Sequence, residues 1–262
     1  MTAARRGYTG GLRTLVLIPA RRASTRLPEK LLLAEHGEPL IATVARRAAQ
    51  AFGPAATIVC ADDPALVAAC AGAGVQARMT RLDHQSGTDR IAEVAAGLDA
   101  DIVVNVQGDE PEMDVGHIRL VAGLLERHPW AGMATLGVPM PPAEQADPSK
   151  VKLVLAESGR APTGEPEGRA LWFTRAPAPW DRDAAGPGRG LRHLGIYAYR
   201  RDVLLGYGRL PASALEQSEK LEQLRALAAG IGIAAAVVAH APAGIDTRPD
   251  YDAFLARHRN TP

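Results

Sequence analysis

Short, β-branched apolar runs alternate along the chain with longer stretches whose apolar residues recur at helical spacing, beginning at Thr14. Thr14–Ile18 (TLVLI) reads as a buried strand, ended by Pro19 and followed by a polar, arginine-rich loop. From Pro39 to Phe52 the apolar positions Leu40, Ile41, Val44, Ala45 and Ala48 share one helical face. A strand at Thr57–Ala61, a helix opened by Asp62, Asp63 and Pro64, and a strand at Val75–Met79 follow. Aspartate accepts from free N–H groups at a helix start, and proline there gives up a donor that had no partner, so that trio predicts an N-terminus. Thr88–Leu98 predicts another helix, Asp101–Val106 (DIVVNV) the clearest strand, and Asp114 the cap of a helix reaching about Arg127. Near-continuous apolar strands alternating with helices predict an α/β fold with a mostly parallel sheet covered on both faces.

The second half reads differently. A proline-rich loop (Pro139–Pro148) precedes an apolar run at Val151–Leu155, a turn at Glu157–Gly159 and a Gly/Pro-rich insert at Ala161–Gly168. Strands at Ala170–Thr174 and His193–Tyr199 flank a loop at Asp181–Gly190. A helix from about Leu215 to Ala229 and a strand near Ala234–Val238 follow. This predicts a smaller mixed β subdomain on the parallel sheet, with no internal repeat and no heptad pattern.

Composition narrows the function classes. Apolar residues at 47% and charged residues at 23% are those of an ordinary globular chain. Only 4% of residues are aromatic, and 30 Lys and Arg against 29 Asp and Glu leave a net charge of +1. Stacking platforms and bulk attraction to a nucleic-acid backbone are therefore both missing. The 2 cysteines, Cys60 and Cys70, are too few for a disulfide framework and too far apart for a Cys-x-x-Cys pair. Arg5 and Arg6 are followed by no apolar signal region, and no apolar run approaches the roughly 18 residues of a membrane span. The expectation is a cytoplasmic protein with no membrane insertion.

The chemistry concentrates in loops after strands, where open α/β sheets bind ligands. Ile18–Lys30 (IPARRASTRLPEK) places three arginines and a lysine beside two hydroxyls, a cradle for phosphate. It is neither a dinucleotide fingerprint nor a P-loop. Asn105–Pro111 (NVQGDEP) presents Asp109 at the same sheet edge, either as a turn or cap residue or as a ligand for a hard cation between carboxylate and phosphate. Ser86, Gly87 and Thr88 at a helix start either cap that helix or offer N–H groups to an anion. Asp246 alone reads as a cap for the helix beginning near Pro249. Arg175 at a strand end suits a carboxylate, and His193 and Tyr197, four apart on a strand, point to one face.

Taken together, these blocks resemble the sugar nucleotidyltransferases, and especially the 3-deoxy-manno-octulosonate (KDO) cytidylyltransferases, from about Leu15 to about Thr247. Arg22 stands where that family usually has Tyr, and Glu29 where it has Gly. The resemblance implies a Rossmann-like nucleotide-diphospho-sugar transferase fold in one domain over residues 12–262. It also implies a sugar-binding and dimerisation subdomain at about 140–215, with residues 1–11 as an N-terminal extension. It implies transfer of CMP from CTP to KDO, which activates KDO for lipopolysaccharide synthesis, in a homodimer. Pro19, Ala20, Arg21, Ser24, Arg26, Lys30, Arg81, Ser86, Gly87, Thr88, Arg90 and Gln107 would hold the nucleotide. Gln107, Arg175, His193, Tyr197, Glu216 and Gln223 would hold the sugar acid, with Glu222 beside them. Asp109 and Asp246 would ligate Mg²⁺, and with Arg21 and Lys30 they form the implied catalytic set. A cytidylyltransferase for 8-amino-KDO or a sialic acid is the alternative. A non-catalytic nucleotide-binding protein is a further one, which loss of Asp109, Asp246 or Lys30 would signal; all three are present.

Overall fold

Strands β1 (Thr14–Ala20), β2 (Thr57–Ala61), β3 (Ala77–Met79) and β4 (Ile102–Asn105) lie parallel in the spatial order β3-β2-β1-β4. The computed structural model describes residues 12–180, 182–183 and 190–258. The expected extension at 1–11 and most of the loop at 181–190 lie outside the described residues. Strands β5 (Ala131–Pro139), β6 (Lys152–Arg160), β7 (Pro166–Thr174), β8 (Leu191–Arg200) and β9 (Gly232–Val237) continue the sheet in the order β8-β5-β9-β7-β6. Only the β5–β9 pair in this half is parallel, so the whole sheet is mixed. The segment at about 140–215 contributes β6, β7 and β8 to this same sheet, with β8 between β4 and β5.

Alternation along β1 builds the two layers, since successive side chains point to opposite faces. Val16, Ile18 and Ala20 pack with α1 (Leu40–Phe52), α2 (Pro64–Gly72) and α4 (Val115–Arg127). Leu15 and Leu17 pack on the other face with α3 (Gly87–Ala96), α5 (Arg201–Tyr207) and α7 (Gln223–Ala228). Helix starts fall where the caps predict, with Asp63, Ser86 and Asp114 each accepting a backbone N–H. A small satellite core of Leu27, Leu40, Ile245, Tyr251, Phe254 and Leu255 docks α8 (Arg248–His258) beneath the arginine-rich loop. Among the described residues no helix is long and apolar enough to cross a membrane.

Four expectations are corrected. Pro19 does not end β1, because the strand runs to Ala20 in parallel register with β2. The helix expected at Leu215–Ala229 is two short ones, α6 (Ala214–Glu219) and α7, broken where Lys220 takes a left-handed conformation at φ 54. Glu157–Gly159 is no turn but part of β6, and the reversal to β7 comes at residues 161–165. Strand β5 was not expected, because Gly132 and Gly137 dilute its β-forming pattern. Those glycines are what its central place requires: a Cβ at Gly132 would crowd Ile231 and Val203, and one at Gly137 would sit 2.9 Å from Leu153.

Gly168 lies in the irregular part of the β6–β7 ladder, and a Cβ there would overlap the carbonyl oxygen of Ala156. Backbone cannot rotate aside as a side chain can. Gly168→Ala is expected to destabilise the fold by about 1–3 kcal/mol, the usual range for overpacking, as read by urea denaturation.

Candidate active site

The carboxyl ends of β1 and β4 are neighbours, and the loops leaving them form opposite walls of one cleft of about 230 Å³. Arg21, Ser24 and Lys30 come from the first loop, Gln107 and Asp109 from the second, and Gly87 from the start of α3. Two glycines permit this closeness. A Cβ at Gly108 would lie 3.0 Å from the carbonyl of Pro19, and one at Gly87 would lie 3.2 Å from its ring. Ala20 turns its side chain into the core and contributes through its carbonyl, which accepts from Asp62 N at 3.3 Å. Arg21 reaches across to the carbonyl of His84 at 3.2 Å, which ties the first loop to the segment before α3.

Lys30 is almost fully buried, and it organises the acidic side of the cleft. Its Nζ donates to Asp109 Oδ2 at 2.6 Å and to the carbonyl of Ile245 at 2.7 Å, and lies 3.6 Å from Asp246 Oδ1. Arg26 donates to the same Asp246 oxygen at 2.7 Å. Two aspartates 137 positions apart thus meet at one ammonium. Glu110 adds a third carboxyl: burial, then the charges of Asp109 and Asp246, push its pKa up to about 8. Its Oε2 is buried without a hydrogen-bond partner. Asp109 and Asp246 offer the carboxylate oxygens that a hard divalent cation such as Mg²⁺ takes, whereas Glu110 lines a separate cleft.

A second cleft, of about 200 Å³, shares Gly87 and Gln107 with the first. Antiparallel pairing of β8 with β4 creates it, since Asn105 stands opposite Tyr197 and Gln107 donates to Gly195 O at 3.1 Å. Thr88, Tyr197 and Gln223 line this cleft, as do Asn105, Tyr199, Tyr207 and Glu222. Asn105 Oδ1 is buried and unpartnered. Burial raises the Glu222 pKa, while hydrogen bonds from Thr88 and Ser86 oppose that rise. His193 sits on the same strand but lines a third, more open cleft with Glu110 and Arg192. Its Nε2 meets Thr135 Oγ1 at 2.9 Å, and its ring packs against Phe173 and Tyr197 with centroids 5.0 and 5.3 Å away. Burial lowers its pKa to about 3, so the ring is neutral.

Several expected site residues have other work. Arg90 is fully buried and bonds Thr80, Arg81 O and Asp62, joining α3 to the ends of β2 and β3 rather than facing a ligand. Arg81 is exposed beside Asp83 and Glu93 and lines a separate groove on the far side of α3. Ser86 caps α3 through Asp89 N at 3.0 Å. Glu216 completes a capping box with Ser213 and holds Arg225 at 2.6 and 2.8 Å, so it is not a cleft residue. Glu222 and Gln223, expected with it, do line the second cleft, because the break at Lys220 re-aims the second half of that helix. Arg175 donates to the carbonyls of Glu219 and Pro148 at 2.7 and 2.9 Å and lines neither of the first two clefts. Asn105, Tyr199 and Tyr207 were not expected as lining residues; an Asn closing an otherwise apolar strand was the one signal available for the first.

Chain comparisons agree with this geometry. A family model described as cytidylyltransferase matches residues 15–233. A 3-deoxy-manno-octulosonate cytidylyltransferase of Rhodospirillum centenum is 46% identical over 244 residues, covering 91% of this chain and 90% of that protein. The Escherichia coli protein of the same name is 43% identical over 235 residues, covering 90% and 92%. A solved CMP:2-keto-3-deoxy-manno-octonic acid synthetase complexed with CTP superposes with a TM-score of 0.86 at 42% identity, over 94% of this chain and 98% of that one.

The two departures from the family loop pair with each other. Arg22 Nε donates to both Glu29 carboxylate oxygens, at 3.1 and 3.0 Å, and Nη1 reaches Asp63. Glu29 takes φ 56, a conformation glycine adopts freely and other residues enter at a cost of about 1–2 kcal/mol. The ion pair is exposed and offsets little of that cost. Glu29→Gly is therefore expected to raise the urea midpoint. A lowered midpoint would show that the pair outweighs the backbone.

A second outcome concerns His193. Its folded pKa lies below the ordinary value of 6.5, so the unfolded chain binds the extra proton between about 3 and 6.5. Its contribution to stability is complete above 6.5 and is lost as pH falls through that window. The ring is expected to keep the NMR shifts of a neutral imidazole at pH 5, and titration near 6.5 would contradict its packing against Phe173 and Tyr197.

Proposed function

The chain belongs to the 3-deoxy-manno-octulosonate cytidylyltransferase family, and from that premise we propose that it transfers the cytidylyl group of CTP to the anomeric 2-hydroxyl of KDO. The products are CMP-KDO and pyrophosphate. The observation that carries this reading is the meeting of Arg21, Ser24 and Lys30 with Asp109 in one cleft, next to a second polar cleft across Gln107. The first cleft suits a triphosphate beside a cation, and the second has the hydroxyl and amide groups that a polyhydroxylated acid needs.

The sugar hydroxyl releases its proton to solvent and its oxygen forms a bond to the α-phosphorus as the bond from that phosphorus to the bridging oxygen of pyrophosphate breaks, in line. Arg21 and Lys30 face the charge that accumulates on the leaving group, and Gln107, at the boundary of the clefts, orients the two substrates. Asp109 and Asp246 would hold Mg²⁺, and bound there the ion supplies charge neutralisation at the reacting phosphate. Tyr197, Gln223 and Glu222 would bind sugar hydroxyls. A homodimer through the segment at about 140–215 belongs to the same reading, supported by Leu171 and Trp180, which are 52% and 81% exposed. A cytoplasmic location, where CTP is made, is also part of it.

Pyrophosphate release from CTP tests the proposal, with KDO, its 8-amino analogue and N-acetylneuraminate compared. Release that requires KDO and stops with EDTA is expected. Preference for either other acid would overturn the sugar assignment, and a folded protein silent with all three would overturn the reaction. Asp109→Asn, with folding checked by circular dichroism, is expected to lower turnover by more than the roughly 10–100-fold that loss of an outer-shell metal partner costs. Retained activity would remove Asp109 from the metal site.

A further inference from the structure

Three residues beyond the acidic turn, Asp114 caps α4, and one helical turn on, His117 faces the same side. His240 arrives from the segment after β9. One donor atom from each of these three residues lies within 4.8 Å of the other two. Asp114 is already oriented: Oδ1 accepts from Gly116 N at 2.6 Å, which leaves Oδ2 to meet His240 Nε2 at 3.0 Å. The two imidazole rings lie with centroids 4.9 Å apart. His117 is only 6% exposed, and its Nδ1 is buried with no hydrogen-bond partner. Buried ring nitrogens normally find partners, and an orphan beside a second imidazole and a carboxylate calls for a ligand.

We propose that Asp114, His117 and His240 bind a divalent transition ion of the zinc class. Two imidazoles and one carboxylate suit zinc and its neighbours, whereas the all-oxygen cluster around Lys30 suits magnesium. The two sites therefore differ in donor chemistry. Tetrahedral zinc with bonds of about 2.0–2.1 Å sets its donors roughly 3.3 Å apart; Asp114 Oδ2 and His240 Nε2 stand 3.0 Å apart, and all three donors lie within 4.8 Å of one another. His240 and Asp114 have side chains 63% and 36% exposed, so the ion can enter from solvent and keep a water. The ion would join the start of α4, which follows Asp109 in sequence, to the segment that precedes Asp246. It acts as a cross-link behind the two segments whose carboxylates meet at Lys30, and takes no part in the transfer.

Titration with Co²⁺, whose visible absorption reports tetrahedral coordination, tests this in excess Mg²⁺ so that the acidic cleft is already filled. Binding of one equivalent is expected, weakened at least about tenfold in both His240→Ala and His117→Gln and unchanged in Asp109→Asn. Zn²⁺ is expected to raise the Tm of the unaltered protein and not that of His240→Ala. His240 is exposed and lies in neither cleft, so His240→Ala should fold and keep its Mg²⁺-dependent turnover. Absence of the visible bands overturns the proposal. So does affinity that both histidine variants retain, or a site abolished by Asp109→Asn instead.

Discussion

Lys30 places a nearly enclosed ammonium against Asp109, the carbonyl of Ile245 and Asp246, and so holds three distant segments to one charge. A buried ammonium is tolerated only where carboxylates and carbonyls replace its lost water. That requirement fixes the approach of the β1 loop, the turn after β4 and the segment before α8. Glu110 shows the cost of the arrangement. Lys30 and Arg26 balance Asp109 and Asp246, so the third acid, buried Glu110, has no cation of its own and its pKa is pushed up to about 8.

Sheet topology completes the site. Antiparallel pairing carries the β8 residues before Tyr197, rather than those after it, past the carboxyl end of β4. Insertion between β4 and β5 thus brings Gly195 and Tyr197 to Gln107 and Asn105. The small residues of β5 let it pass through the middle of the sheet with cores on both sides. The segment that would recognise the sugar is thus part of the same continuous sheet as the segment that would grip the phosphates.

Not every charge near the clefts faces a ligand. Arg90, Glu216 and Arg175 hold neighbouring elements through carbonyls and caps, and this rigidity positions Gly87, Thr88 and Gln223. Arg22 and Glu29 neutralise one another, so the acid of Glu29 is held by Arg22, which also reaches Asp63. The family loop thereby tolerates two changes at once.

The alternation of strands and helices, the caps at Asp63, Ser86 and Asp114, and the loop carrying Arg21 and Lys30 were all legible in the sequence, because they depend on side-chain periodicity and on bonds within a few residues. That Asp109 and Asp246 meet at Lys30, and that Tyr197 and Gln223 share a cleft, could be expected only through resemblance, since no local rule links positions so far apart. The structure alone decided the strand β5, the break at Lys220 that leaves Glu216 in a cap while Glu222 lines a cleft, and the burial of Arg90. Each depends on what packs against it: two glycines under a crowded sheet, a left-handed residue between short helices, and an arginine enclosed by two strand ends. The residues and short-range hydrogen bonds set which elements form; long-range packing and the desolvation of charge set which of their side chains meet.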